Sequence, residues 1–155
     1  MKLFIILSFF ILANFSLESN PQPSEERKAQ EALPKSSHPL WKMLQQLKIN
    51  YDKKSGIYSA TYNDAIKSMV GKEIEITGFM LPLEPAEKFK HFLLSKRTPT
   101  CFFCPPGTPN EVIDVWMEKP IKWYEEPIKI KGRFALTNQQ NLGLFFKIES
   151  ARLVK

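Results

Sequence analysis

Two cysteines, Cys101 and Cys104, lie in the stretch TPTCFFCPPGTPN (residues 98–110), and the chain has no others. The C-x-x-C spacing permits three kinds of chemistry. The sulfurs can turn back onto one metal ion, exchange as a dithiol, or close a short disulfide. A closed zinc site needs four ligands, and the only histidines that could add to the cysteines are His38 and His91. His91 sits roughly 20 Å of extended chain before the end of its predicted strand, so it helps only if the loop folds back. Glu111 and Asp114 are nearer candidates, at the start of the strand that follows. A site of Cys101, Cys104 and one carboxylate is one possibility for zinc. Two thiolates alone suit Cu(I), which accepts low coordination and favours soft sulfur.

A thiol-disulfide oxidoreductase also uses C-x-x-C, but it places the first cysteine at a helix N-terminus to lower its pKa. Here Pro105, Pro106 and Gly107 follow directly. They favour an extended stretch and then a turn with Gly at its third position. A disulfide between Cys101 and Cys104 would instead staple a contact loop. Phe102, Phe103, Pro105, Pro106 and Asn110 would then be the partner-binding residues, since exposed contiguous apolar surface marks interaction. Metal site, redox pair and stapled contact loop all stay open on these residues.

The elements that must position this loop read mainly as β. In residues 72–83 Ile74 and Ile76 alternate with glutamates, and Gly78 interrupts the run, as at a bulge or sharp bend. Further strands are predicted at 89–96, 112–118, 127–136 and 142–154. In the fourth, Ile128, Ile130, Gly132 and Phe134 share one face, and in the fifth Leu144, Phe146 and Ile148 do. Antiparallel pairing of the first two strands would bring the cysteine loop beside Glu73 and Glu75. Five strands with a long, bent first strand predict a small five-stranded barrel of the OB type over 72–155. Residues 39–71 form a short helical and strand extension. Trp41, Leu44 and Leu47 recur at helical spacing, residues 57–62 alternate as a strand, and Asn63 caps a short helix.

The N-terminal end bears on compartment. Lys2 precedes an apolar run over 3–13, well short of the roughly 20 residues that span a bilayer. This pattern predicts a signal peptide over 1–19, cut between 16 and 20. No cysteine follows the run, so the expected product is periplasmic and not lipid-anchored. Residues 20–38 are polar and Pro-rich and are expected to be a flexible tether. A net charge of +6 and a pI near 9.3 could suggest nucleic acid. An exported protein rarely meets it, and the cations are scattered. Ser, His and Asp occur without a hydrolytic arrangement, and no Gly-rich phosphate loop is present.

GFMLPLE (78–84), followed by FLLSKRTPTCFFCPPGTPNEVIDV (92–115), resembles the bacterial family called domain of unknown function 3299. Its members look like exported proteins or lipoproteins, with the order G-[FY]-[MV]-x-P-L-E, then F-L-L, Cys, a proline-rich turn and Asn before a strand. The likeness runs over about residues 41–155. Many members carry C-I-H-V-P-P, whereas this chain has Phe103 at the His position and a second cysteine at Cys104. The resemblance implies a non-enzymatic accessory role in periplasmic metal handling beside an envelope ABC transporter. Cys101 and Cys104 would then be the soft ligands.

Overall fold

The structure, a computed structural model, describes residues 25–100 and 107–154. Helix α1 (Glu25–Ala32) and helix α2 (Pro39–Leu44) precede a hairpin of β1 (Lys48–Asp52) and β2 (Ile57–Thr61). Helix α3 (Asp64–Lys67) leads into five longer strands: β3 (Glu73–Pro82), β4 (Phe89–Ser95), β5 (Val112–Ile121), β6 (Ile128–Gln139) and β7 (Leu144–Leu153). These close into a barrel in the order β3-β4-β5-β7-β6. The β5–β7 pair is parallel and the others are antiparallel. This is the predicted OB-like, mainly β fold. Its core is filled by inward residues such as Phe92, Ile113, Ile130, Phe134, Phe146 and Ile148, all fully buried.

Gly78 acts where the sequence shows it. β3 pairs with β6 up to Gly78, opposite Ile128, and with β4 from Phe79, opposite Ser95. At that switch a Cβ on Gly78 would lie 2.7 Å from the Ser95 carbonyl oxygen and 2.8 Å from Leu94 Cγ. Backbone cannot yield as a side-chain tip can. Gly78→Ala is therefore expected to cost about 1–3 kcal/mol, the usual range for overpacking, measured by chemical denaturation. A variant as stable as the parent would refute this account of the switch.

The change of partner also explains why residues before α2 are structured. No β4 residue stands opposite Thr77. Its carbonyl accepts instead from Ser36 Oγ at 2.6 Å and Trp41 Nε1 at 2.8 Å. Ser36 N donates to Lys96 O at 2.8 Å, and Lys35 forms a bridge with Arg97. The tether expected through residue 38 thus contains a helix, and a docked strap at residues 34–36. Composition shows these residues to be polar. It does not show that they satisfy barrel backbone groups, as a buried carbonyl requires.

The rest of the extension follows local rules. His38 caps α2, its Nδ1 accepting from Leu40 N at 3.3 Å. Burial first, and then the charge of Lys129, lower the His38 pKa, which preserves the neutral ring the cap needs. Trp41, Leu44 and Leu47 are buried as predicted, although the helix ends at Leu44 and Lys48 already belongs to β1. Asn63 Oδ1 accepts from Ile66 N at 2.9 Å, the expected cap of α3. Leu144 departs from expectation. It packs with Leu81, Leu93 and Val112 in a second cluster, apart from the core of Phe146 and Ile148. The β6–β7 register shifts between Leu136 and Gln139 and re-aims it.

Candidate functional site

The loop at residues 98–110 leaves β4 and returns through a 3-10 turn, Pro109–Glu111, into β5. Its two ends are tied together. Lys96 N donates to Glu111 O at 2.9 Å, and Glu111 N to Thr108 O at 2.8 Å. The Glu111 side chain is buried, 1% exposed. It accepts from Arg97 Nε at 2.6 Å, Arg97 Nη2 at 3.3 Å and Gln45 Nε2 at 2.8 Å. Lys96 Nζ lies 3.5 Å away. Burial pushes the Glu111 carboxyl up, but the hydrogen bonds and charge of Arg97, with Lys96, outweigh it and hold the pKa below the usual value. Asn110 Nδ2 donates to Gln45 O at 3.2 Å, so α2 grips the same base. Gly107 closes over the ion pair at φ 95°, the left-handed region that favours glycine. A Cβ there would collide with Glu111 Oε2.

Asp114 stands elsewhere. It lies on the outer face of β5, 2% exposed. Its Oδ1 is 2.5 Å from His91 Nε2, and its Oδ2 accepts from Trp116 Nε1 at 3.1 Å. The two rings stack, with centroids 4.0 Å apart and planes at 17°. Both predicted carboxylates are therefore committed to neighbours, Glu111 to the loop base and Asp114 to an aromatic pair. Cys101, Phe102, Phe103, Cys104, Pro105 and Pro106 lie outside the described residues. Among the described residues no three His, Cys, Asp or Glu side chains group to hold a metal. Glu73 and Glu75 stand opposite β6 and pair with Lys131, while Arg152 also reaches Glu73; the cysteines they were expected to neighbour lie outside the described residues.

Around the loop the barrel surface is apolar. One groove, about 320 Å³, runs between Leu81, Leu93, Val112 and Leu144, with Gly107–Pro109 on its rim. A second depression of about 440 Å³ lies between Leu83, Pro85, Phe89 and Trp123. A third, about 250 Å³, is bounded by Leu81, Pro99 and Tyr124. All three share Pro82. Leu83, Trp123 and Tyr124 are each 40% exposed or more, and Leu142 is 67% exposed. Periodicity did not point to this surface, yet a signal was present. FMLPL at 79–83 does not alternate, and a strand end that is apolar on both faces has apolar surface outside the barrel too.

A family model described as a protein of unknown function, DUF3299, matches residues 18–145. The chain belongs to the DUF3299 family. A crystal structure of a DUF3299 family protein from Pseudomonas aeruginosa PAO1 is similar at 20% identity. The likeness covers 79% of this chain and 84% of that one, with a TM-score of 0.49. No curated protein matches. Family membership thus brings this DUF3299 protein no activity, and its function has to be argued from its own surface.

Proposed function

We propose that this DUF3299 protein is an exported accessory binding protein of the periplasm. Its contact face is the end of the barrel that carries residues 98–110. One observation carries this reading: three apolar depressions meet at Pro82 beside the loop, rimmed by exposed Leu83, Trp123 and Leu142. Contiguous exposed apolar surface with polar edges marks a binding site. The buried carboxylates support binding over catalysis, because Glu111 and Asp114 are spent on holding the loop and two rings. Cys101 and Cys104 enter this reading as soft ligands for zinc or Cu(I), presented at the contact face to an envelope ABC transporter or another periplasmic protein. The ion-paired base sets the two ends of their loop in one place, which suits a presented site.

Site-specific photo-crosslinking in cells tests the contact face. A photoreactive residue at Leu83 or Leu142 is expected to form an adduct containing an envelope protein. The same residue at Lys129, on the β3–β6 side of the barrel, is expected to form none. Equal adducts from all three positions, or none from Leu83 and Leu142, would remove the reading.

A further inference from the structure

The change of partner along β3 leaves an edge that the barrel itself does not use. Phe134 N donates to Lys72 O at 2.9 Å, on the β6 side. Thr77 O turns the other way, to Ser36 and Trp41. Backbone groups of successive strand residues point to opposite edges, so the even-numbered residues of β3 address β6 and the odd-numbered ones address β4. On β4, Lys96 N donates to Glu111 O, which turns its even-numbered residues to β5 and leaves Ser95 and Leu93 for Phe79 and Leu81. Met80 therefore points its N–H and C=O to the β6 side. Yet β6 begins at Ile128, opposite Gly78. Among the described residues neither backbone group of Met80 has a hydrogen-bond partner.

Burial gives this gap its meaning. Met80 is 3% exposed, and its side chain belongs to the core. What remains of it to line the cleft of about 250 Å³ beside Pro99 and Tyr124 is backbone. A nearly dry peptide group without a partner carries a cost that a hydrogen bond removes. The first half of β3 is guarded differently. Glu73 and Glu75 are exposed charges, a usual protection of an edge against strand addition. Met80 and Leu81 have no such charge. Pro82, next on the same side and also lining the cleft, lacks an N–H but still offers its C=O. An N–H and a C=O on one residue, with a second C=O two residues on, form the pattern that an antiparallel strand answers. A strand residue takes roughly 160 Å³ at the usual rise and spacings. The cleft thus holds little more than backbone and favours small side chains.

We infer that the Met80 edge of β3 takes an extended segment of a partner protein as an added antiparallel strand, with alanine or glycine opposite Met80. That residue exchanges two hydrogen bonds with Met80, and the residue two before it donates to the Pro82 C=O. Neither of the two is proline, since both donate an N–H. Main-chain hydrogen bonds of this kind hold extended peptides on free sheet edges. The inference rests on the proposed binding role and gives its partner a backbone conformation.

Amide NMR of the full mature chain tests it, with an acetylated and amidated heptapeptide, KVAVAVK, as the probe. In the free protein the Met80 amide is expected to exchange with solvent at least tenfold faster than those of Phe79 and Leu81, which β4 holds. Saturating peptide is expected to slow Met80 exchange at least tenfold and to leave Phe79 and Leu81 unchanged. N-methylation of both alanines removes the donors and is expected to weaken binding at least tenfold. N-methylation of the valines, whose N–H groups face away from β3, is expected to change it less than threefold. A Met80 amide as protected as its neighbours in the free protein overturns the inference. So does an alanine-methylated peptide that binds as the parent peptide does, or no response of Met80 at millimolar peptide. Met80 protection that rises with protein concentration alone would give the edge to a second copy of the chain and overturns it too. Crosslinks from Leu83 and Leu142 that persist when the peptide fails would sink the strand addition and leave the binding role standing.

Discussion

Glu111→Ala is expected to destabilise the protein by about 3 kcal/mol, near the lower end of the range for breaking a buried ion pair. The cost comes from what remains. Without the carboxylate, Arg97 and Lys96 hold their charges at side chains only 19% exposed, and Gln45 Nε2 loses its acceptor. Residual solvent contact at the two cations keeps the figure from the top of the range. Glu111→Gln retains an acceptor for Gln45 but not the charge, and is expected to fall between parent and alanine variant. Acid acts through the same group. Its folded pKa is depressed, so the stabilisation is complete above the ordinary glutamate value. It is lost as pH falls through the lower, folded value. Urea titrations at pH 7 and pH 4 measure this. A Glu111→Ala variant that matches the parent at pH 7 would show that the loop base is not held by charge.

The largest functional effect is expected at the cysteines. Reduced protein should take up close to one equivalent of Zn(II) or Cu(I), and the Cys101→Ala/Cys104→Ala variant none. Both thiols must be deprotonated to ligate, so uptake should release protons and weaken as pH falls. Metal content and thiol titration of one sample of the isolated protein distinguish this from the other uses of the pair. A redox pair would show one thiol of depressed pKa and fast exchange with glutathione. A staple would resist glutathione, and its loss would cost little stability, because the loop it closes is very short. An intact disulfide in freshly isolated protein, with no metal uptake after reduction, would exclude metal handling and leave a stapled contact loop.

Much of the barrel was legible because strands leave period-two patterns. Ile76, Ile128, Ile130 and Phe134 marked inward faces that are buried in the fold, with Ile74 partly buried against the same core. Gly78 marked the bend, because only a residue without Cβ fits where two partners meet. The candidate site was less legible. Arg97, Gln45 and His91 acquire their roles from residues distant in sequence, and periodicity carries no information about such pairs. Asp114 could be placed near the loop by sequence, but not its commitment to His91 and Trp116, since that depends on the β4–β5 register. Trp116, Trp123 and Tyr124 are each at least 40% exposed. Composition does not show this, because an aromatic residue reads alike whether it faces the core or a partner. The docked strap at residues 34–36 was not legible within the tether for a related reason: a docked polar segment and a loose one share a composition.

The split pairing of β3 has a kinetic side. Its second half meets β4 across a short hairpin, Met80 opposite Leu94. Its first half waits for β6, with Ile76 opposite Ile130. β5 must likewise wait for β7 to form the parallel pair of Val115 with Ile148. Closing such distant pairs costs chain entropy before it returns any contact energy, so barrels of this kind fold on a scale of milliseconds to seconds. Until β6 arrives, the edge carrying Ile74 and Ile76 stays open. The chain is then most open to wrong strand pairing during the last step of its assembly, when most of its hairpins already exist.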